Sequence, residues 1–268
     1  MKHLFIFFLV NVFTSTFLLA QDEGRIIKVD RLDKNMGVYF GLGPSFTLGK
    51  NMGDYTVGFN VEAGFLKRSN RVFSWGPSFS ISGFAYDPAS TQDIYIGQNG
   101  YGYDGYVIRL EGGDLFLTSL AFTFKLNAAP VKDDSKFSFY VFAKPFITAA
   151  IRDDVFGTSD YYTSPDGDPN GSNWTYQNSD EWGPEGFPAL AGQTEVTGGI
   201  FIGPGIELFP AKRVTIFAQA SFGYTMPITF VSTEAWDNSL DSYFDEEFPM
   251  VTKGFPSVNI QLGVSFNF

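Results

Sequence analysis

From Ser257 to Phe268 the chain alternates without a break. Val258, Ile260, Leu262, Val264, Phe266 and Phe268 are apolar, while Ser257, Asn259, Gln261, Gly263, Ser265 and Asn267 between them are polar or small. Successive side chains of an extended strand point to opposite faces, so a period of two specifies a strand with one apolar and one polar side. No polar tail follows the last aromatic. A sandwich strand in water can alternate in this way, but it rarely ends on an exposed Phe. In a closed barrel that crosses a bilayer the alternation is required, because one face meets lipid and the other a polar lumen.

Seven further segments carry the same period. The first sets Val38, Phe40, Leu42 and Phe46 against Gly41, Gly43, Ser45 and Thr47. The second sets Tyr55, Val57, Phe59, Val61 and Phe65 against Thr56, Gly58, Asn60 and Glu62. In the third, Phe73, Trp75, Phe79 and Ile81 oppose a serine-rich face; in the fourth, Leu120, Phe122, Phe124 and Leu126 oppose Ser119, Ala121, Thr123 and Lys125. The fifth places Phe137, Phe139, Val141 and Ile147 outward and Ser138, Lys144 and Thr148 inward. Val196, Ile200, Ile202, Ile206 and Leu208 face Glu195, Thr197, Gly199 and Glu207 in the sixth. Ile216, Ala218, Phe222 and Tyr224 face Thr215, Gln219, Ser221 and Thr225 in the seventh.

The connections divide by parity. Those after the second, fourth and sixth segments are short and basic, holding Lys67, Arg68 and Arg71, then Lys132 and Lys136, then Lys212 and Arg213. Those after the third, fifth and seventh are long and acidic, over residues 87–105, 152–193 and 229–254; the first outward connection, 49–54, is short. The expected fold is all-β: a closed antiparallel transmembrane barrel over residues 36–268, with long outward loops and short periplasmic turns. Eight strands satisfy closure, which an edge in lipid demands. Ten is the alternative, if residues 94–109 or the third long loop add a transmembrane hairpin.

At the other end, Lys2 and His3 precede an apolar run from Leu4 to Leu19, and Ala20 meets the polar Gln21-Asp22-Glu23. The expectation is a secretory signal peptide over residues 1–20, then a periplasmic segment over 21–35, with both termini periplasmic. No other stretch is long and apolar enough to be a membrane helix. The formal charge is −11 and becomes −12 once Lys2 leaves, which argues against nucleic-acid binding. Charged residues and aromatics each make up 18%, an aromatic share that suits interfacial girdles. There is no Cys, and the one His is His3, so the mature chain has no thiol or imidazole chemistry.

A weak repeat accompanies the alternation: Gly43-Pro44-Ser45-Phe46, Gly76-Pro77-Ser78-Phe79 and Gly203-Pro204-Gly205-Ile206. Proline removes a ladder donor, so these steps predict bulges or kinks that curve a small barrel. The terminal Gln261, Gly263, Phe266 and Phe268 resemble the C-terminal assembly signal of bacterial outer-membrane barrels. With the Gly-Pro steps, the chain resembles small barrels of the OmpA and PorT type over nearly all its mature length. That resemblance implies a porin-like fold, a bacterial outer-membrane location, surrounding lipid, and delivery by barrel-assembly machinery. It carries no functional motif.

Three constellations could carry chemistry. Glu62, Lys125, Lys144 and Glu207 fall on inward faces, and buried charges need partners, so a salt-bridged plug is expected; Glu62 and Glu207 are the candidate partners of Lys144. Asp166, Asp168 and Asn170 match the first half of a calcium loop, but Gln177 stands where its bidentate Glu belongs. No cofactor is therefore expected, with calcium as the alternative. Trp174, Trp182 and Trp236 lie among loop carboxylates, where aromatics either stiffen the loops or meet an extracellular protein or glycan. Barrel enzymes of the outer membrane resemble one another in using a His, so no enzyme is expected. The reading is a structural or interaction barrel with a filled lumen. The alternatives are a narrow channel or ligand-translocating barrel, or a subunit of an envelope secretion or uptake complex.

Overall fold

The computed structural model describes residues 35–48, 55–86, 94–99, 102–164, 175–182, 190–231 and 250–268. Residues 1–34, which include the expected signal peptide and most of the expected periplasmic segment, lie outside them. Eight strands close into one antiparallel barrel: β1 (Met36–Thr47), β2 (Tyr55–Arg68), β3 (Phe73–Tyr86), β6 (Leu115–Asn127), β7 (Phe137–Arg152), β10 (Gln193–Leu208), β11 (Val214–Val231) and β12 (Met250–Asn267). Each pairs with its neighbour in chain order, and β1 meets β12 from Gly37↔Asn267 to Thr47↔Ser257. Every ladder thus has a partner, the condition for β-structure in hydrocarbon.

The remaining four strands settle the choice between eight and ten. β4 (Ile94–Asn99), β5 (Gly102–Gly112), β8 (Val155–Ser164) and β9 (Thr175–Trp182) form a separate sheet in the order β4-β5-β8-β9. It grows from the β6–β7 ladder without a change of offset: that ladder ends at Leu115↔Arg152, and β5–β8 resumes at Gly112↔Val155. Gly112 and Gly113, at φ +80° and +77°, turn the chain where one sheet gives way to the other. A side chain at Gly112 would also stand 2.2 Å from the Asp154 carbonyl oxygen.

The faces have inverted polarity. Leu120, Ile147 and Leu262 are 68%, 66% and 65% exposed, whereas Glu62, Lys125 and Lys144 are 5%, 3% and 4% exposed. A water-soluble protein places these classes the other way round. Along β10 the apolar outer face runs from Val196 to Leu208. At a tilt of about 40°, this spans roughly 30 Å of height, enough for a bilayer core.

Two local expectations are corrected. Tyr55, assigned by its alternation to the outer face, is 2% exposed and points inward. The β2–β3 register shifts between Tyr55 and Gly58, and one extra residue flips every side chain beyond it. The Gly-Pro steps, in turn, make no bulges. Across Pro44, Pro77 and Pro204 the register holds, but pairing lapses with one neighbour while it continues with the other, at Phe59, Phe122 and Val141. The glycine supplies the reason. A Cβ at Gly43, Gly76 or Gly203 would lie 1.8, 2.0 or 1.8 Å from a carbonyl oxygen of the strand on the interrupted side. The proline gives up a ladder bond and the glycine lets the strands close over the gap.

Candidate functional site

The inward positions of the barrel carry polar and aromatic side chains that meet one another across its interior. Nearest the short turns, Lys125 on β6 donates through Nζ to Glu207 Oε1 on β10, and its ammonium sits 4.1 Å from the centre of the Tyr140 ring. In the next layer, Lys144 Nζ on β7 donates to both oxygens of Glu62 on β2, each at 2.8 Å. Tyr39 donates its hydroxyl to Glu62 Oε1 at 2.5 Å, and the Phe142 ring centre lies 4.5 Å from Lys144 Nζ. Neither pair joins adjacent strands: β7 and β2 are separated by β6 and β3, and β6 and β10 by β7. Both bonds therefore cross the lumen.

A neutral network adjoins the charges. Gln219 donates to Gln261, Gln261 to Asn60, and Asn60 to Ser82 Oγ at 2.7 Å, while Tyr140 donates to Gln219 at 3.1 Å. Amide side chains carry both donors and acceptors, so such a chain can run across the barrel without leaving a group bare. Further along, the Phe146 and Phe201 rings stack at 4.6 Å. Toward the long-loop end lies an apolar layer, with the buried Arg152 beside it. Tyr55, Phe84, Leu115, Leu117, Ala150, Ile228, Phe230 and Phe255 form one buried apolar cluster, with Phe84 and Phe255 edge to face at 5.0 Å. The cavities left around the charged layers are small, about 20 Å³ beside Lys125 and Glu207 and about 10 Å³ beside Glu62 and Lys144. These hold water-sized guests at most.

Of the residues singled out by sequence, Glu62, Lys125, Lys144 and Glu207 stand together inside the barrel, in the two pairs given above. Gln261 is buried in the amide chain, while Phe266 and Phe268 are 54% and 60% exposed on the outer face. Gly263 has a packing role: a Cβ there would meet the Phe217 ring and the Phe40 carbonyl oxygen, each at 2.3 Å. Asp166, Asp168, Asn170, Trp174 and Trp236 lie outside the described residues. Trp182 ends β9, paired with Gly157. Among the described residues no group of three His, Cys, Asp or Glu side chains could hold a metal ion.

Sequence reasoning missed the aromatic lining. Tyr39, Tyr140, Phe142, Phe146, Phe201 and Phe217 all face the lumen. In Phe137-Ser138-Phe139-Tyr140-Val141-Phe142 both faces are largely apolar, so hydropathy alternation does not separate them. The available signal was positional: each of these residues shares parity with a polar inward neighbour on its strand.

No family model and no curated protein matches the sequence. Solved structures do. Neisserial surface protein A, NspA, matches at 12% identity over 87% of this chain and 97% of that one, with a TM-score of 0.45. The N-terminal β-barrel domain of Pseudomonas aeruginosa OprF matches at 12% identity over 88% and 98%, with a TM-score of 0.34. Ail, the attachment invasion locus protein of Yersinia pestis, matches at 12% identity over 88% and 99%, with a TM-score of 0.31. The chain is an all-β protein with a closed eight-stranded antiparallel barrel, and its structural neighbours are small outer-membrane barrels.

Proposed function

We propose that this protein is an outer-membrane barrel of structural or interaction type, with its lumen closed by its own side chains and its working surface on the β4-β5-β8-β9 sheet and the long loops. The observation that carries the reading is the filled lumen. Two ion pairs bridge non-adjacent strands, an amide chain fills the space beside them, and an apolar cluster covers one end. A transport barrel instead needs a continuous wet path. The apolar outer face supports a membrane location, and loop-borne aromatics among carboxylates suit contact with an extracellular protein or glycan. In this reading the short turns and both termini face the periplasm, the protein reaches the membrane through the barrel-assembly machinery, and it performs no catalysis.

The test is electrical. Purified protein reconstituted in planar bilayers is expected to leave the baseline conductance unchanged in symmetrical salt. Steady, protein-dependent unitary currents would overturn the closed reading and favour a narrow channel.

A further inference from the structure

The turn from β10 to β11 holds a residue its backbone does not suit. Phe209 has φ +56°, the left-handed region that glycine or asparagine occupies cheaply and a bulky aromatic does not. Its surroundings over-determine that conformation. The Phe209 N–H donates to the Lys136 carbonyl at 2.7 Å, and its own carbonyl accepts from the Lys212 N–H at 3.0 Å and the Thr215 hydroxyl at 3.1 Å. Arg68 donates to the Pro210 carbonyl at 3.0 Å, and Asn267 Nδ2 to that of Lys212 at 2.8 Å. All this rigidity presents the ring to the outside, 48% exposed. Strain retained in this way is a reason to look for what the side chain meets.

Its neighbours supply the chemistry. Lys136, Lys212 and Arg213 are exposed around the same turn and make no ion pair among the described residues. Phe137, 60% exposed, pairs with Leu208 just before Phe209. Of the two acids of the adjoining turn, Asp133 lies 3.7 Å from Arg71, and Asp134 is exposed beside Lys132 and Lys136, so basic residues still outnumber acids there. An aromatic at the rim of an apolar band, with exposed cations around it, matches one kind of surface: acyl chains below and an anionic headgroup above.

We infer that the β10–β11 turn is a binding patch for an anionic glycerophospholipid, with Phe209 and Phe137 against its glycerol and acyl region and Lys136, Lys212 and Arg213 on its phosphate. The inference rests on the membrane reading. It goes further in naming a lipid class and the leaflet at the short-turn end. Each cation near an anionic surface strengthens binding roughly fivefold, so three give on the order of a hundredfold preference over a zwitterionic lipid at low salt.

The experiment uses the full chain. The folded protein in detergent is offered equal phosphatidylglycerol and phosphatidylcholine, and retained lipid is counted by native mass spectrometry; insertion into vesicles of each lipid is followed separately. Wild type is expected to retain phosphatidylglycerol selectively, and the K136Q/K212Q/R213Q variant to lose at least tenfold of that selectivity. Phe209→Gly and Phe209→Asn are expected to weaken retention several-fold while the unfolding midpoint in detergent holds or rises, because both residues accept the positive φ. Equal retention by wild type and the triple variant overturns the inference, as does full retention by both Phe209 variants. A chain that inserts into neither vesicle overturns the membrane reading itself, and this proposal with it.

Discussion

The two lumen pairs make a claim about individual residues that can be tested one proton-bearing group at a time. Lys144→Met leaves Glu62 buried without its cation, facing the neutral Tyr39 hydroxyl and Gln261 amide, and breaking a buried pair from one side costs about 3–5 kcal/mol. The urea midpoint should fall accordingly. Adding Glu62→Gln should recover much of the loss, whereas adding Glu207→Gln should deepen it, since Glu207 belongs to Lys125. Rescue by either change alike would mean that the four charges share one diffuse network. The sequence made the inward charges legible, because each falls at a polar parity position. It left both Glu62 and Glu207 open for Lys144, because strands several places apart are brought face to face by tilt and stagger, which no single strand encodes. Tyr55 marks the other limit: a one-residue register shift is invisible to periodicity at the strand that carries it.

Strands were the most legible elements, since alternation, turn residues and loop lengths agree on all eight. Their fine construction was not. The Gly-Pro steps read as bulges, yet the register across them is unbroken. The geometry makes the glycine, rather than the proline, the less replaceable partner. Gly76→Ala drives a methyl to within 2.0 Å of the Phe65 carbonyl, a backbone atom that moves only with its strand. Overpacking of this kind costs about 1–3 kcal/mol or more. Pro77→Ala should stay near neutral, within about 0.5–1 kcal/mol, because its side chain points outward and its pairing with Phe122 continues. Parallel urea titrations in detergent compare the two; a larger loss for the proline would reverse the assignment. The outer face has its own probe. Leu262 is 65% exposed on the outer face of β12, between Leu42 and Ala218. Leu262→Arg should destabilise the barrel refolded in vesicles by about 2–4 kcal/mol if that site is near the bilayer midplane. A neutral result would place β12 at another depth.

For the molecule as a whole, if the lumen is closed as proposed, the order of layers along the barrel decides where it is sealed. The ion pairs lie toward the short turns, and the apolar cluster spans the long-loop end, drawing on the ends of β2, β3, β6, β7, β11 and β12. These barriers differ in kind. The charged layers are polar and border water-sized cavities, so rearranging or neutralising them would admit water. The cluster of Phe84, Phe230, Phe255 and their aliphatic neighbours offers a passing ion no partner, and a narrow apolar constriction excludes water as well. Two seals in series open only when both are removed. The Lys144→Met/Glu62→Gln barrel should therefore remain electrically silent in planar bilayers, although its lumen has lost a charge pair. Phe230→Ala/Phe255→Ala alone should also be silent, because the ion pairs still cross the lumen beneath the opened end. Currents are expected only when the two phenylalanines and both ion pairs, Lys144–Glu62 and Lys125–Glu207, are replaced together. Conductance from the charge-pair variant by itself would show that the apolar layer does not seal, and would return the closure of the barrel to its ion pairs.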